Sequence, residues 1–99
     1  MLNVNKKAEN NALTVELDGR LDTTTAPRLE NELRASLDNV ASLTLDMAKL
    51  EYISSAGLRV LLSTQKIMNA KGEMKIVNVN ETVNEIFEVT GFSDILTIE

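Results

Sequence analysis

The spacing of apolar residues changes repeatedly along this chain, and that change constrains the fold more than any single residue does. In ALTVELD (residues 12–18), Leu13, Val15 and Leu17 alternate with Thr14, Glu16 and Asp18, the period-2 pattern of a half-buried strand. LNVN (residues 2–5) alternates in the same way, with KKAENN between the two, so the chain opens with a predicted β-hairpin. The period then becomes four: Leu29, Leu33 and Leu37 recur with Ala26 and Ser36 beside them, one apolar stripe on an amphipathic helix. Thr25 stands where an N-cap belongs, and Pro27 fits the first turn, where its missing N–H is no loss.

Alternation returns in ASLTLDM, where Leu43, Leu45 and Met47 share a face, and AKLEYIS reads as a connection. A second helix is predicted from Ser55 to Asn69. Its apolar positions, Leu58, Val60, Leu61, Leu62, Ile67 and Met68, surround more than half of it, which predicts deeper burial than for the first helix. Gly72 in NAKG is expected as a left-handed stop. EMKIVNV leaves little polar face, as an interior strand would. Asn80 caps ETVNEIFEVT, Gly91 closes it, and DILTI is a short final strand. The order β-β-α-β-α-β-α-β predicts an α/β fold, with a mixed, mostly parallel sheet carrying an antiparallel N-terminal hairpin. The expected unit is one domain over residues 1–99.

Composition removes function classes. With no cysteine, disulfides, thiolate metal sites and thiol nucleophiles are excluded. With no histidine, the usual general base near neutral pH and the commonest transition-metal ligand are both missing. No phosphate-binding glycine motif is present: Gly19, Gly57, Gly72 and Gly91 are isolated. Asp18, Asp22, Asp46 and Glu51 would suit only a weak hard-cation site, and scattered solvated acids are the simpler account. The expectation is no cofactor. A net charge of −5 without a basic cluster argues against nucleic acid. No stretch is long and apolar enough for a membrane span or a signal peptide, so a cytoplasmic protein is expected, and a charged domain without an evident apolar patch is expected to be a monomer.

What remains is a serine pair in YISSAGLR (residues 52–59), at the predicted start of the second helix. Serine there accepts a backbone hydrogen bond and stabilises the helix by about 1 kcal/mol. A helix start also favours a phosphate, which would add about −1.5 to −2 charge without opposing the fold. Both uses are open to Ser54 and Ser55.

GRLDTTTAPRLENEL, LTLDMAKLEYISSAGLRVLL and KGEMKIVNVNETVNEIFEVTGFSDILTI together span nearly the whole chain. In that order they resemble the anti-sigma-factor antagonists, small bacterial members of the STAS domain family. The resemblance implies a partner switch in which an anti-sigma factor that is a serine kinase phosphorylates the serine two places before the loop glycine. Anchored on Gly57, that serine is Ser55, with Ser54 as the alternative. Ser54 stands where the family has an acid, and Ala56 where it has a second serine. The resemblance also implies partner contacts from Arg20, Asp22, Thr23 and Thr24 in the first loop and from Ile53, Ser54, Gly57, Leu58 and Arg59 in the second, with a metal-dependent serine phosphatase to reset the switch. It implies a regulatory binding module, not an enzyme.

Three rivals compete. A STAS domain also serves as a scaffold subunit of transport complexes. A receiver domain would be phosphorylated on Asp46, at the end of its strand. A serine hydrolase would use Lys49 or Lys66 as base.

Overall fold

The computed structural model describes residues 2–99. Strands β1 (Leu2–Glu9), β2 (Ala12–Leu21), β3 (Ser42–Ile53) and β4 (Glu73–Val77) form one sheet in the order β1-β2-β3-β4. β1 pairs antiparallel with β2, while β3 is parallel to both β2 and β4. Helices α1 (Ala26–Ser36), α2 (Ser55–Asn69) and α3 (Glu81–Thr90) make the crossovers, and a 3₁₀ turn, Phe92–Asp94, follows.

The α/β order read from the sequence holds, with local corrections. The hairpin strands run further than the alternation shows: β1 continues to Glu9, which faces Ala12 across a two-residue turn. Asn10 takes φ 57° there, a left-handed conformation that Asn tolerates. At the other end DILTI forms no extended strand. Ile76 and Ile98 make one parallel bridge, with Ile76 N–H donating to Thr97 O and Glu99 N–H to Ile76 O, both at 2.8 Å. β4 is therefore not flanked by two full strands.

The largest correction concerns AKLEYIS. Residues 48–53 are not a connection but the second half of β3. Alternation fails there because β3 is bulged twice. While β2 advances from Glu16 to Asp18, β3 advances from Asp46 to Lys49, and while β2 steps from Gly19 to Arg20, β3 steps from Leu50 to Tyr52. Each bulge inserts one extra residue. The inward residues therefore run Leu43, Leu45, Met47, then Leu50 and Ile53, all buried.

Only one of the two alternating sets of sheet side chains is buried. Leu13, Val15, Leu17 and Leu21 of β2 join Met74 and Ile76 of β4 in the core, where α1 adds Leu29 and Leu33, α2 adds Leu58, Leu61 and Met68, and α3 adds Val83 and Phe87. The helices thus cover a single face, as successive right-handed crossovers in one direction require. The other face is polar, with Lys7, Thr14, Glu16, Thr44, Asp46 and Lys75 partly or fully exposed.

Gly72 is not a left-handed stop; among the glycines, positive φ is found at Gly19 and Gly91. Its requirement is space, because a Cβ on Gly72 would run into the carbonyl oxygen of Ala41. Gly91 is the left-handed cap of α3, at φ 81°, with open space around it. The two glycines should respond differently to alanine. Gly72→Ala is expected to destabilise by about 2–3 kcal/mol, since backbone must move, and Gly91→Ala by about 1 kcal/mol, the left-handed penalty alone. Urea unfolding of both variants checks the ranking.

Candidate functional site

The two loops singled out in the sequence lie side by side, at the C-terminal ends of the parallel strands β2 and β3. Open α/β sheets place their ligand sites at that end. Leu21 pairs with Ile53 at the last rung, and the pairing then extends into the loop, where Ser54 N–H donates to Leu21 O at 2.9 Å.

The first loop is a capping box: Thr25 stands at the N-cap position of α1, as read, but the side chain that caps is Asp22. Ala26 N–H donates to Asp22 O at 2.9 Å, so a helical turn begins three residues before α1. The Asp22 carboxylate accepts from the N–H groups of Thr24 (3.0 Å) and Thr25 (3.2 Å) and from the Thr24 hydroxyl (2.7 Å). In return Asp22 N–H donates to Thr25 Oγ1 at 2.9 Å, the reciprocal bond of a capping box with Thr in place of Glu. Thr25 makes no side-chain cap bond to α1; its hydroxyl instead donates to Arg20 O at 2.9 Å. The Thr24 hydroxyl, foremost, and the loop N–H groups hold the Asp22 carboxyl below the usual 3.8, against some desolvation.

The second loop answers the question of the serine pair by splitting it. Ser54 is the N-cap of α2: its backbone is extended and its Oγ accepts from Gly57 N–H at 3.3 Å. Ser55 is the first helical residue and is exposed. None of the side-chain hydrogen bonds among the described residues involves it. Gly57 lets α2 sit down on the sheet, since a Cβ there would lie 2.7 Å from Leu21 Cγ and 2.8 Å from Ile53 Cγ1.

The remaining candidates separate by exposure. Ile53 is 1% exposed and Leu58 6%, and Gly57 is buried. These three therefore face inward, beneath the loop and not on its surface. Arg20, Thr23, Thr24, Ser55 and Arg59 are exposed. Arg20 lies over the Tyr52 ring, 4.6 Å from its centroid, a cation–π pair that the sequence reading missed because Tyr52 was placed in a connection. Between α1 and α2 an open groove of about 360 Å³ is lined by Thr23, Ala26, Pro27, Glu30, Ala56, Arg59 and Val60. Pro27, Glu30 and Val60 were not read as site residues from the sequence, since only the packing of α1 on α2 brings them to Arg59.

The receiver and hydrolase readings lose their geometry. Asp46 does not end its strand. It sits in the middle of β3, its carboxylate accepting from Ala48 N–H at 3.0 Å and Asn78 Nδ2 at 3.1 Å. Lys66 and Ser55 are at opposite ends of α2, roughly 16 Å apart at the helical rise. Lys49 precedes Ser54 along β3 by on the order of 15 Å.

The STAS domain profile matches residues 3–99. The chain belongs to the STAS domain family. A candidate anti-sigma factor antagonist, BtrV of Bordetella bronchiseptica, is 38% identical over 83% of this chain and 72% of its own length. The anti-sigma-B factor antagonist of Bacillus subtilis is 31% identical over 98% of this chain and 90% of its own. In structure, this STAS domain is similar to the anti-sigma factor antagonist SpoIIAA in its unphosphorylated form, with TM-score 0.83 and 16% identity over 100% of this chain and 88% of that one. It is also similar to the phosphorylated form of SpoIIAA, a Bacillus cell fate determinant, with TM-score 0.75 and 15% identity over 100% of this chain and 91% of that one. No described helix is long and apolar enough to cross a membrane.

The split between the serines of this STAS domain is testable by stability alone. Ser54→Ala is expected to destabilise by about 1 kcal/mol and Ser55→Ala by less than about 0.5 kcal/mol, read from urea midpoints. The first loop is testable by acid. A depressed carboxyl pKa stabilises the folded turn above the unfolded value and loses that contribution as pH falls through the folded one. NMR titration should place Asp22 below 3.8, and Thr24→Val should raise it.

Proposed function

We propose that this STAS domain is an anti-sigma-factor antagonist that works as a partner switch, as a binding module and not as an enzyme. The observation that carries this reading is the split serine pair: one hydroxyl is engaged in capping, and the other is exposed and free at the first helical position. A hydroxyl placed so can be modified without loss of the helix. The names of the relatives support the antagonist role, and the occurrence of SpoIIAA in unphosphorylated and phosphorylated forms supports the modification.

In this reading the partner is an anti-sigma factor with serine kinase activity. Arg20, Asp22, Thr23 and Thr24 from the first loop join Ser54, Ser55 and Arg59 from the second as its docking face. Ile53, Gly57 and Leu58 support that face from beneath. Unphosphorylated, the domain occupies the kinase and leaves the sigma factor free. The kinase then transfers the γ-phosphoryl group of its nucleoside triphosphate to Ser55 Oγ. An O–P bond forms as the bond to the diphosphate breaks, the nucleoside diphosphate leaves, and the hydroxyl proton passes to a base of the kinase. The dianion now lies in the middle of the contact, where it must be desolvated against the partner, and the complex separates. A metal-dependent serine phosphatase hydrolyses the ester and resets the domain. All these steps belong to the cytoplasm, and one copy of the chain suffices for them.

The test is binding and phosphate transfer with the anti-sigma kinase of the same cell. Phosphate should appear on Ser55 alone, and Ser55→Ala should bind the kinase but remain unmodified. Phosphorylation should weaken binding by roughly a hundredfold, about 2.7 kcal/mol. Phosphate on Ser54, or equal affinity of the two forms, would overturn the reading; no transfer at all would return the domain to a scaffold.

A further inference from the structure

We propose that Arg59 is the built-in partner of a phosphate on Ser55, so that modification also withdraws this guanidinium from the docking face. The inference rests on the reading of Ser55 as the acceptor and concerns what the chain itself does with the phosphate.

Arg59 lies four residues after Ser55 on α2, and both side chains are exposed. Residues at that spacing are neighbours on one helix face. Helical side chains lean toward the N-terminus, so a long side chain at 59 covers the surface over residue 55. The guanidinium is also uncommitted. The ion pairs among the described residues use Lys7, Arg28, Arg34 and Lys75, and Arg20 is occupied by Tyr52. The acid that shares the groove with Arg59 is Glu30 on α1, and its carboxylate is paired with Arg34 at 3.5 Å. The carboxylate of the neighbouring loop, Asp22, is turned into its own capping box. The residue between that loop and Ser55, the cap Ser54, is neutral and brings no charge to repel a phosphate. A planar guanidinium binds phosphate oxygens in pairs, which a point charge does not.

Such a pair gives one modification two effects. It adds the phosphate to the face and at the same time occupies a cation that the unmodified face offers to its partner.

The test uses the whole chain with phosphoserine introduced at position 55 during translation, and follows the phosphate by ³¹P NMR as pH is raised. A nearby guanidinium favours the dianion, so the second ionisation should lie lower in the parent than in Arg59→Gln, by about 0.3 unit at low salt. Arg59→Lys should recover only part of that difference, since it keeps the charge and loses the paired contact, and molar salt should erase it. Equal titration of the parent and Arg59→Gln overturns the proposal, as does a difference that persists unchanged in molar salt. Because the kinase takes no part in this measurement, a failure of phosphate transfer would sink the switch without touching this result, and the converse holds as well.

Discussion

The parallel pairing of β2 with β3 is the constraint on which the rest of the structure depends. Parallel neighbours cannot be joined by a tight turn, so α1 must cross between them. The crossover is held by Leu29 and Leu33, at 0% and 1% exposure, each worth roughly 1.5–3 kcal/mol of burial. Because the ladder runs on to Leu21 and Ile53 and is extended by Ser54 N–H, the loops that leave the two strands emerge in register. The capping box of one and the serine cap of the other are brought side by side by backbone hydrogen bonds, and a surface patch results from what is first of all a sheet.

Within that patch the polar groups divide between those that build the loops and those left over. Asp22, Thr25 and Ser54 accept from backbone donors that a helix start leaves without partners, and the Thr24 hydroxyl donates to the Asp22 carboxylate. Once those donors are satisfied, the adjacent Ser55 hydroxyl is not needed for folding. The order of residues matters here: in the pair, the earlier serine takes the cap because its extended backbone points its oxygen at Gly57 N–H. A chemical role for the later one therefore requires no compromise in stability, since the cap and the exposed hydroxyl belong to different residues.

Most of this was legible in the residues, and what was not has specific causes. The hairpin, all three helices and the αL glycine after α3 follow from periodicity and capping. The end of β3 was not legible, because bulges break the two-residue period on which a strand is recognised, and Leu50 and Ile53 then sit three apart. The role of Gly72 was not legible either, since close approach to Ala41 is a contact between distant parts of the chain. Asp22 was half legible: Asp is a favoured cap ahead of an apolar stripe, but three residues on stands Thr25, where the usual capping box has Glu or Gln. Thr25 stands out instead because Pro27, two residues on, marks the first turn of the helix. The position of Ser55 was legible, but its freedom depends on Ser54 taking the cap, which is a matter of backbone conformation.

The double bulge of β3 sets the reading phase of everything downstream. Between Met47 and Ile53 the strand carries two residues more than a simple alternation with β2 would need. Loss or gain of a single residue in AKLEYI would rotate Ile53 out of the core and carry Ser54 away from Leu21. Substitutions on the solvated outer face of the same strand would leave that phase intact. In this part of the chain the number of residues, more than their identity, is therefore what sets the position of the loop.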